Sequence, residues 1–116
     1  MQPKTPKLLE DIRDAAAFVL EAVQGRTIDD YRRDRLLRQA IERNFEIIGE
    51  AVNRIAKLDP GVAAGIGKHR QIIAFRNVLI HGYDLVDHRI AWSVIEEELP
   101  VLLAEVELLL SGARQP

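Results

Sequence analysis

The stretch that decides the fold is DRLLRQAIERNFEIIGEAVNRIAKL, residues 34–58. Its apolar residues recur every three or four positions, the spacing that places side chains on one face of an α-helix. This stripe consists of Leu37, Ile41, Phe45, Ile48, Val52 and Ile55. Because most of the other positions are charged or polar, the pattern predicts a long amphipathic helix with one face in a hydrophobic core.

The sequence upstream of this helix predicts two more helical segments. A first helix is expected to begin at Thr5, with a proline at its first helical position, and to stop at Gly25. The following RTIDDYRRD, residues 26–34, predicts a short helix or a turn that Thr27 can cap.

Downstream, DPGVAAGIG, residues 59–67, predicts a loop because proline and glycine break helices. Another helix is expected over residues 68–81, and a final helix continues to about residue 110. Asp84 or Asp87 can cap the final helix, and Pro100 inside it should bend it. Four main helices with short connections predict an all-α protein, an antiparallel up-and-down bundle of four to five helices.

Length and composition restrict the class of protein. The 116 residues suit one domain spanning 1–116, and 47% hydrophobic with 29% charged residues is a globular balance. The absence of cysteine excludes disulfides and thiolate metal sites, and no long apolar run predicts a membrane span. We therefore expect a soluble, cytoplasmic protein. The formal net charge of −2 is unusual for a nucleic-acid binder, so any RNA contact should come from a local positive cleft.

A second stretch, AFRNVLIHGYD, residues 74–84, gathers polar side chains on the helix predicted over 68–81. Arg76 and Tyr83 are seven residues apart, and Asn77 and His81 are four apart, so we expect one broad polar strip. An imidazole can move a proton near neutral pH, and a guanidinium offers a planar fork to a phosphate. The strip suits metal-free cleavage of an RNA phosphodiester with the RNA 2′-hydroxyl as nucleophile. From spacing alone, solvated or acid-paired side chains without catalysis remain the more common outcome.

Several segments resemble one known family. RNVLIHGY resembles the Arg-x4-His-x-Tyr motif of HepT-like toxins of the HEPN superfamily, formerly a DUF86 domain. ERNFEIIGEAVNRI is similar to the second-helix signature of that family, and VLIHGYDLVDHRIAWSVIEEELPVLL to its motif, turn and final helix. The resemblance implies an all-helical homodimer that acts as the endoribonuclease toxin of a type II toxin–antitoxin system. It also implies that Arg76 and His81 are catalytic and that Asn77 supports the arginine.

The same resemblance implies a means of restraint. Tyr83 matches the tyrosine to which a minimal nucleotidyltransferase antitoxin transfers AMP from ATP. Added phosphates beside Arg76 and His81 would block the cleft and repel an RNA backbone. ATP and Mg²⁺ would belong to the partner, and no cofactor is expected for this chain.

The sequence leaves two interpretations open for Glu50 and for Asp84. Glu50 matches the Gly-Glu-Ala position of the family and either orients Arg76 or is a plain solvated carboxylate. Asp84 caps a helix or holds His81 in one tautomer. Gly49 is expected to permit close helix packing. His69 and His88 have no histidine or carboxylate at metal-ligand spacing on a shared helical face, so no metal site is predicted.

Two further alternatives stay open at this level. The arginines at 32, 33, 35 and 38 form either a solvated face or a contact for RNA phosphates or an acidic partner. The whole domain is either a ribonuclease or a non-catalytic helical module that binds a nucleotidyltransferase or a nucleotide.

Overall fold

The computed structural model describes residues 1–114, with the backbone alone for Tyr83, Ala113 and Arg114. The elements in chain order are α1 (Thr5–Ala22), α2 (Ile28–Arg33), α3 (Arg35–Leu58), α4 (Pro60–Ala63), α5 (His69–His81), a 3₁₀ turn (Tyr83–Leu85), α6 (His88–Ser93), a π-helical turn (Val94–Glu98) and α7 (Leu99–Arg114). Residues 1–114 contain no strand, and the prediction of an all-helical bundle is confirmed.

Helix α3 is the centre of the bundle. It begins where the Asp34 side chain accepts a hydrogen bond from the backbone N–H of Leu37 at 3.0 Å. All six residues of its predicted apolar stripe are buried. Because α3 packs against both α1 and α5, this stripe holds three of the long helices together.

Helix α1 lies antiparallel to α3, and one carboxylate joins their ends. Asp59 follows α3, and its Oδ2 accepts hydrogen bonds from Gln2 N at 2.8 Å and Thr5 Oγ1 at 3.1 Å. α1 begins at Thr5 as predicted but ends at Ala22, and Gly25 takes a φ of 74° in the turn that follows. The other side of α1 packs against α7.

Helix α2 forms as its capping residues predict. The Thr27 side chain accepts from Asp30 N at 3.2 Å, and the Asp30 carboxylate accepts from Thr27 N at 2.9 Å. This reciprocal pair is a capping box, which satisfies two backbone donors that the first turn would otherwise leave free.

An aromatic cluster attaches α6 to α2. Tyr31 of α2 is fully buried, and its ring centroid lies 5.5 Å from that of His88 and 5.7 Å from that of Trp92. Trp92 is therefore part of the core of this chain. The cluster fixes the far end of the segment that carries Tyr83 and Asp84.

One sequence prediction needs correction, and one alternative that the sequence left open is resolved. The 59–67 segment is not all loop, because Pro60–Ala63 form one helical turn in which the proline occupies an early position where its missing N–H costs nothing. The final helix begins at the cap Asp87, whose Oδ1 accepts from Arg89 N at 2.8 Å, and Asp84 does not cap it. The π-helical turn ends at Glu98, two residues before Pro100, and includes the carbonyls that the proline ring would crowd in a regular α-helix.

Helices α5 and α7 leave a groove between them of about 300 Å³. Its walls are mainly apolar and include Phe45, Ile72, Phe75 and Leu102. At one end the groove is crossed by two contacts between the start of α5 and the final helix: Lys68 Nζ lies 2.7 Å from Glu98 Oε1, and Gly67 N donates to Glu105 Oε2 at 2.9 Å.

Across residues 1–114, no helix combines the length and apolar character needed to cross a bilayer.

The buried Tyr31 hydroxyl generates a stability prediction. This hydroxyl forms no hydrogen bond among the described residues, and burial raises the pKa of Tyr31 to about 12. Tyr31→Phe removes an unpaired polar group, so we expect the free energy of unfolding at pH 7 to rise by about 1 kcal/mol.

The same change should flatten the alkaline part of the stability profile. The folded chain keeps the Tyr31 proton at pH values where the unfolded chain, with a tyrosine pKa of about 10, releases it. In the wild type, the contribution of this tighter proton binding to the free energy of unfolding is therefore present below about pH 10 and is lost as the pH rises towards 12. The Tyr31→Phe protein lacks this loss. Urea unfolding at pH 8 and pH 11 measures both effects, and a Tyr31→Phe variant that is less stable at both pH values would contradict them.

Candidate functional site at the crossing of two helices

The site is organised where α5 crosses α3. A Cβ built on Gly49 of α3 would lie 2.3 Å from the Arg76 Cβ and 2.6 Å from its Cγ. Such distances are far inside van der Waals contact, so only glycine lets the two helices approach this closely. The expected packing role of Gly49 is confirmed, and its direct neighbour across the contact is the motif arginine.

Arg76 is held from two directions. Its Nη2 lies 2.8 Å from Glu50 Oε2 on α3, and its Nη1 donates to Asn77 Oδ1 at 3.1 Å. The side chain is 23% exposed, and its Nε is buried without a hydrogen-bond partner among the described residues. Each terminal nitrogen carries two hydrogens, so the fork keeps one donor on each nitrogen for a ligand.

Glu50 also binds a second arginine that sequence reasoning missed. Arg54 Nε donates to Glu50 Oε1 at 3.0 Å, so one carboxylate lies between two guanidinium groups. A sequence signal for this contact exists, because a glutamate four residues before an arginine on one helix is the favourable ion-pair spacing. Glu50 is thus an ion-paired carboxylate between α3 and α5.

His81 is the last residue of α5 and is exposed. It lies five positions after Arg76, which corresponds to about 140° around the helix axis and about 7.5 Å along it. Within the described residues His81 forms no hydrogen bond or ion pair with Arg76, Asn77 or Asp84. The polar strip expected from the sequence is therefore divided: Arg76 lies in the α3–α5 crevice, whereas Asn77 and His81 face the open surface.

The segment after His81 turns immediately. Gly82 ends α5, and Tyr83 opens the 3₁₀ turn in which Asp84 is exposed. The predicted modification falls on the Tyr83 side chain, which lies outside the described part of the structure. The backbone nevertheless places this residue two positions beyond His81, at the same end of α5.

Two of the four arginines near the start of α3 have local partners. Arg38 donates to the backbone carbonyls of Tyr31 and Arg32, at the end of α2. Arg32 lies 3.5 Å from Asp29 within α2. These contacts favour the structural interpretation for Arg32 and Arg38. Among residues 1–114 there is also no group of three or more histidine or carboxylate side chains that could hold a metal ion.

Comparison with known proteins places this geometry in context. The family model described as ribonuclease HepT-like matches residues 10–109. These residues include all of α3 and α5 and the segment that follows them. No solved structure gave a significant match.

Curated relatives cover almost the same length. The chain is 36% identical over 108 residues to "Putative RNase TTE0752" of Caldanaerobacter subterraneus subsp. tengcongensis, which is 92% of this chain and 96% of the relative. It is 32% identical over 105 residues to "Probable ribonuclease HepT" of Thermococcus cleftensis, which is 87% of this chain and 91% of that protein.

The close helix crossing generates a prediction with a matched control. Gly49→Ala adds a methyl group that must displace Arg76, so we expect unfolding to become about 1–2 kcal/mol easier despite the better helix propensity of alanine. Gly61→Ala also places an alanine in a helical turn, but nothing outside the local backbone lies within 4 Å of the added Cβ. That control should be neutral or stabilising by about 0.5 kcal/mol.

Thermal and urea unfolding of the two variants measure this difference. Equal stability of the Gly49→Ala and Gly61→Ala proteins would show that α5 does not depend on the glycine contact.

Proposed function

The chain belongs to the ribonuclease HepT-like family, and on that premise we propose that it is a metal-independent endoribonuclease in which Arg76 and His81 act on one RNA phosphodiester. The observation that carries the proposal is the arrangement around Arg76. A guanidinium is fixed in a crevice by Glu50 and Asn77, with donors left over, at the edge of a helix that ends in an exposed histidine.

In this proposal Arg76 stabilises the charge that develops on the phosphoryl oxygens. Glu50 and Asn77 act as positioning residues, because each fixes one terminal nitrogen of the guanidinium. A pre-oriented donor needs no reorganisation when charge develops, which is the source of its catalytic effect. The half-buried position of Arg76 strengthens the interaction because less water screens it.

His81 would carry the proton transfer. Its imidazole accepts the proton of the RNA 2′-hydroxyl while that oxygen attacks phosphorus, and the bond to the 5′-oxygen breaks. The 5′-oxygen needs a proton as it leaves, and a second imidazole in its protonated form can donate it. No metal ion or protein nucleophile takes part in these steps.

A homodimer supplies what one protomer lacks. Within a single chain, Arg76 and His81 lie about 140° apart around α5, so they do not converge on one phosphate by themselves. If two copies of α5 meet across a two-fold axis, the exposed His81 of one copy can face the Arg76 crevice of the other. The same symmetry brings two imidazoles to one cleft, one to accept a proton and one to donate it.

The proposal extends to regulation as the toxin of a toxin–antitoxin pair. A nucleotidyltransferase partner would use ATP and Mg²⁺ to join the Tyr83 phenol oxygen to the α-phosphorus. The bond to the β-phosphate breaks, pyrophosphate leaves and the phenol proton passes to a base of the partner. The product places a nucleotide phosphate two residues from His81, where its charge opposes an incoming RNA phosphate.

The central test is cleavage of RNA by the purified protein in the presence of EDTA. Wild type should cut, and Arg76→Ala and His81→Ala should each lower kcat/KM by at least about a hundredfold. Arg70→Ala is the matched control, because Arg70 lies on the same helix outside the motif. Its activity should stay near that of wild type.

Two results would overturn the catalytic assignment. One is wild-type protein that leaves RNA intact, which would favour a non-catalytic module that binds the nucleotidyltransferase. The other is full activity in the Arg76→Ala or His81→Ala protein.

The modification has its own test. Co-expression with the nucleotidyltransferase should raise the intact mass by whole AMP units and abolish RNA cleavage. Tyr83→Phe should stay unmodified and, when active alone, should remain active in the presence of the partner. Tyr31→Phe is the control, because the Tyr31 hydroxyl is buried and out of reach of an enzyme. Mass addition to the Tyr83→Phe protein would refute this site.

A further inference from the structure

A second surface feature lies beside the Arg76 crevice, where α1 packs against α3. It is a groove of about 780 Å³ between the start of α1 and the end of α3. Its lining residues are Pro3, Lys4, Lys7, Leu8, Asp11, Arg54, Lys57 and Leu58. We call this surface the α1–α3 groove.

The charge of the α1–α3 groove differs from that of the chain as a whole. Four of its lining residues are cationic and one is a carboxylate, whereas the chain has a formal net charge of −2. All four cations, Lys4, Lys7, Arg54 and Lys57, are exposed. The groove is therefore the kind of local positive cleft that an acidic RNA-binding protein requires.

Three of the carboxylates near these cations, Asp11, Glu50 and Asp59, already have partners. Asp11 lies 2.7 Å from Lys7 Nζ and raises the pKa of Lys7, which therefore stays charged and keeps two of its three donors. Glu50 is shared between Arg54 and Arg76. Asp59 is occupied by the start of α1, through Gln2 N and Thr5 Oγ1.

The α1–α3 groove is continuous with the proposed active site. Arg54 lines the groove and binds Glu50 at 3.0 Å, and Glu50 binds Arg76 at 2.8 Å. Lys57 is one helical turn beyond Arg54, so the cations on α3 run along one face away from Arg76 for about 10 Å from Glu50. One track of positive charge thus leads from the crevice into the groove.

From this continuity we propose that the α1–α3 groove binds the phosphate backbone of the single-stranded RNA whose cleavage is proposed above. Successive phosphates would lie against Arg54, Lys57, Lys7 and Lys4. The apolar parts of Pro3, Leu8 and Leu58 would contact sugars and bases. The contacts address the backbone and no base edge, so the groove supplies affinity and direction without sequence specificity.

The test uses two oligonucleotides and two triple variants. A fluorescent 2′-O-methyl oligoribonucleotide has no free 2′-hydroxyl and reports binding without cleavage, whereas the unmodified RNA reports KM and kcat. The groove variant combines Lys4→Gln, Lys7→Gln and Lys57→Gln. The control variant removes the same number of charges from the other end of α3 and its neighbour, by Arg33→Gln, Arg35→Gln and Arg43→Gln.

The groove variant should bind the 2′-O-methyl oligonucleotide at least about tenfold more weakly at low salt, and the loss should appear in KM rather than in kcat. Its plot of log affinity against log salt should be shallower by about 2, because each lost contact with a single strand contributes about 0.7. Arg54→Gln alone should show part of this loss, and the matched Arg43→Gln should not, although both arginines are exposed and pair with a glutamate of α3.

The outcomes separate this proposal from the proposed function. If wild type cuts RNA and the groove variant keeps its affinity and salt slope, the groove assignment is wrong and the ribonuclease stands. If wild type binds but does not cut, and the groove variant loses binding, the groove stands and the catalytic assignment fails. Loss of RNA affinity in the control variant alone would place the backbone contact at residues 33–43 and overturn the groove.

Discussion

The packing of α5 on α3 through Gly49 is the constraint on which the site depends. A glycine inside a long helix costs about 1 kcal/mol relative to alanine, and here the missing Cβ makes room for the stem of Arg76. The close crossing buries the arginine far enough to limit hydration while its terminal nitrogens reach Glu50 and Asn77. A wider separation of the helices would leave the guanidinium mobile and fully solvated, and the neighbouring carboxylate would have nothing to orient.

The cationic side chains of this protein form a local cluster, although they are not in excess over the carboxylates. The chain as a whole is slightly acidic, yet Arg76, Arg54 and the lysines of the α1–α3 groove meet along one side of α3. Glu50 keeps the two arginines at a fixed separation and lowers their mutual repulsion in the absence of a ligand. An RNA phosphate that approached this track, as proposed, would meet cations that are already positioned and would compete with one carboxylate for them.

Much of the fold was accessible from the sequence because it depends on local patterns. The six-residue stripe of α3, the cap at Thr27 and the end of α5 at Gly82 all follow from helix periodicity and capping chemistry. The helical turn at Pro60–Ala63 and the π-helical turn before Pro100 were missed, since both depend on how neighbouring backbone accommodates a proline. The motif could be located by its residues and spacing. The sequence does not show that Glu50 joins Arg54 to Arg76, or that α1 contributes lysines to the same side. Both arrangements depend on tertiary packing.

Because Arg76 and His81 are separated, a single chain does not form the complete catalytic site that we propose. Arg76 is fixed in a crevice between two helices, and His81 is exposed where its helix ends. A single protomer would therefore bind a phosphate without placing a proton acceptor next to it. Assembly of two copies would therefore create the reactive centre rather than merely stabilise it. A tyrosine placed just beyond the exposed histidine would then lie near the cleft that assembly closes. A nucleotide added there would obstruct both the RNA path and the pairing of histidine with arginine. A modification at the end of α5 would in this way control a site whose arginine is held against α3.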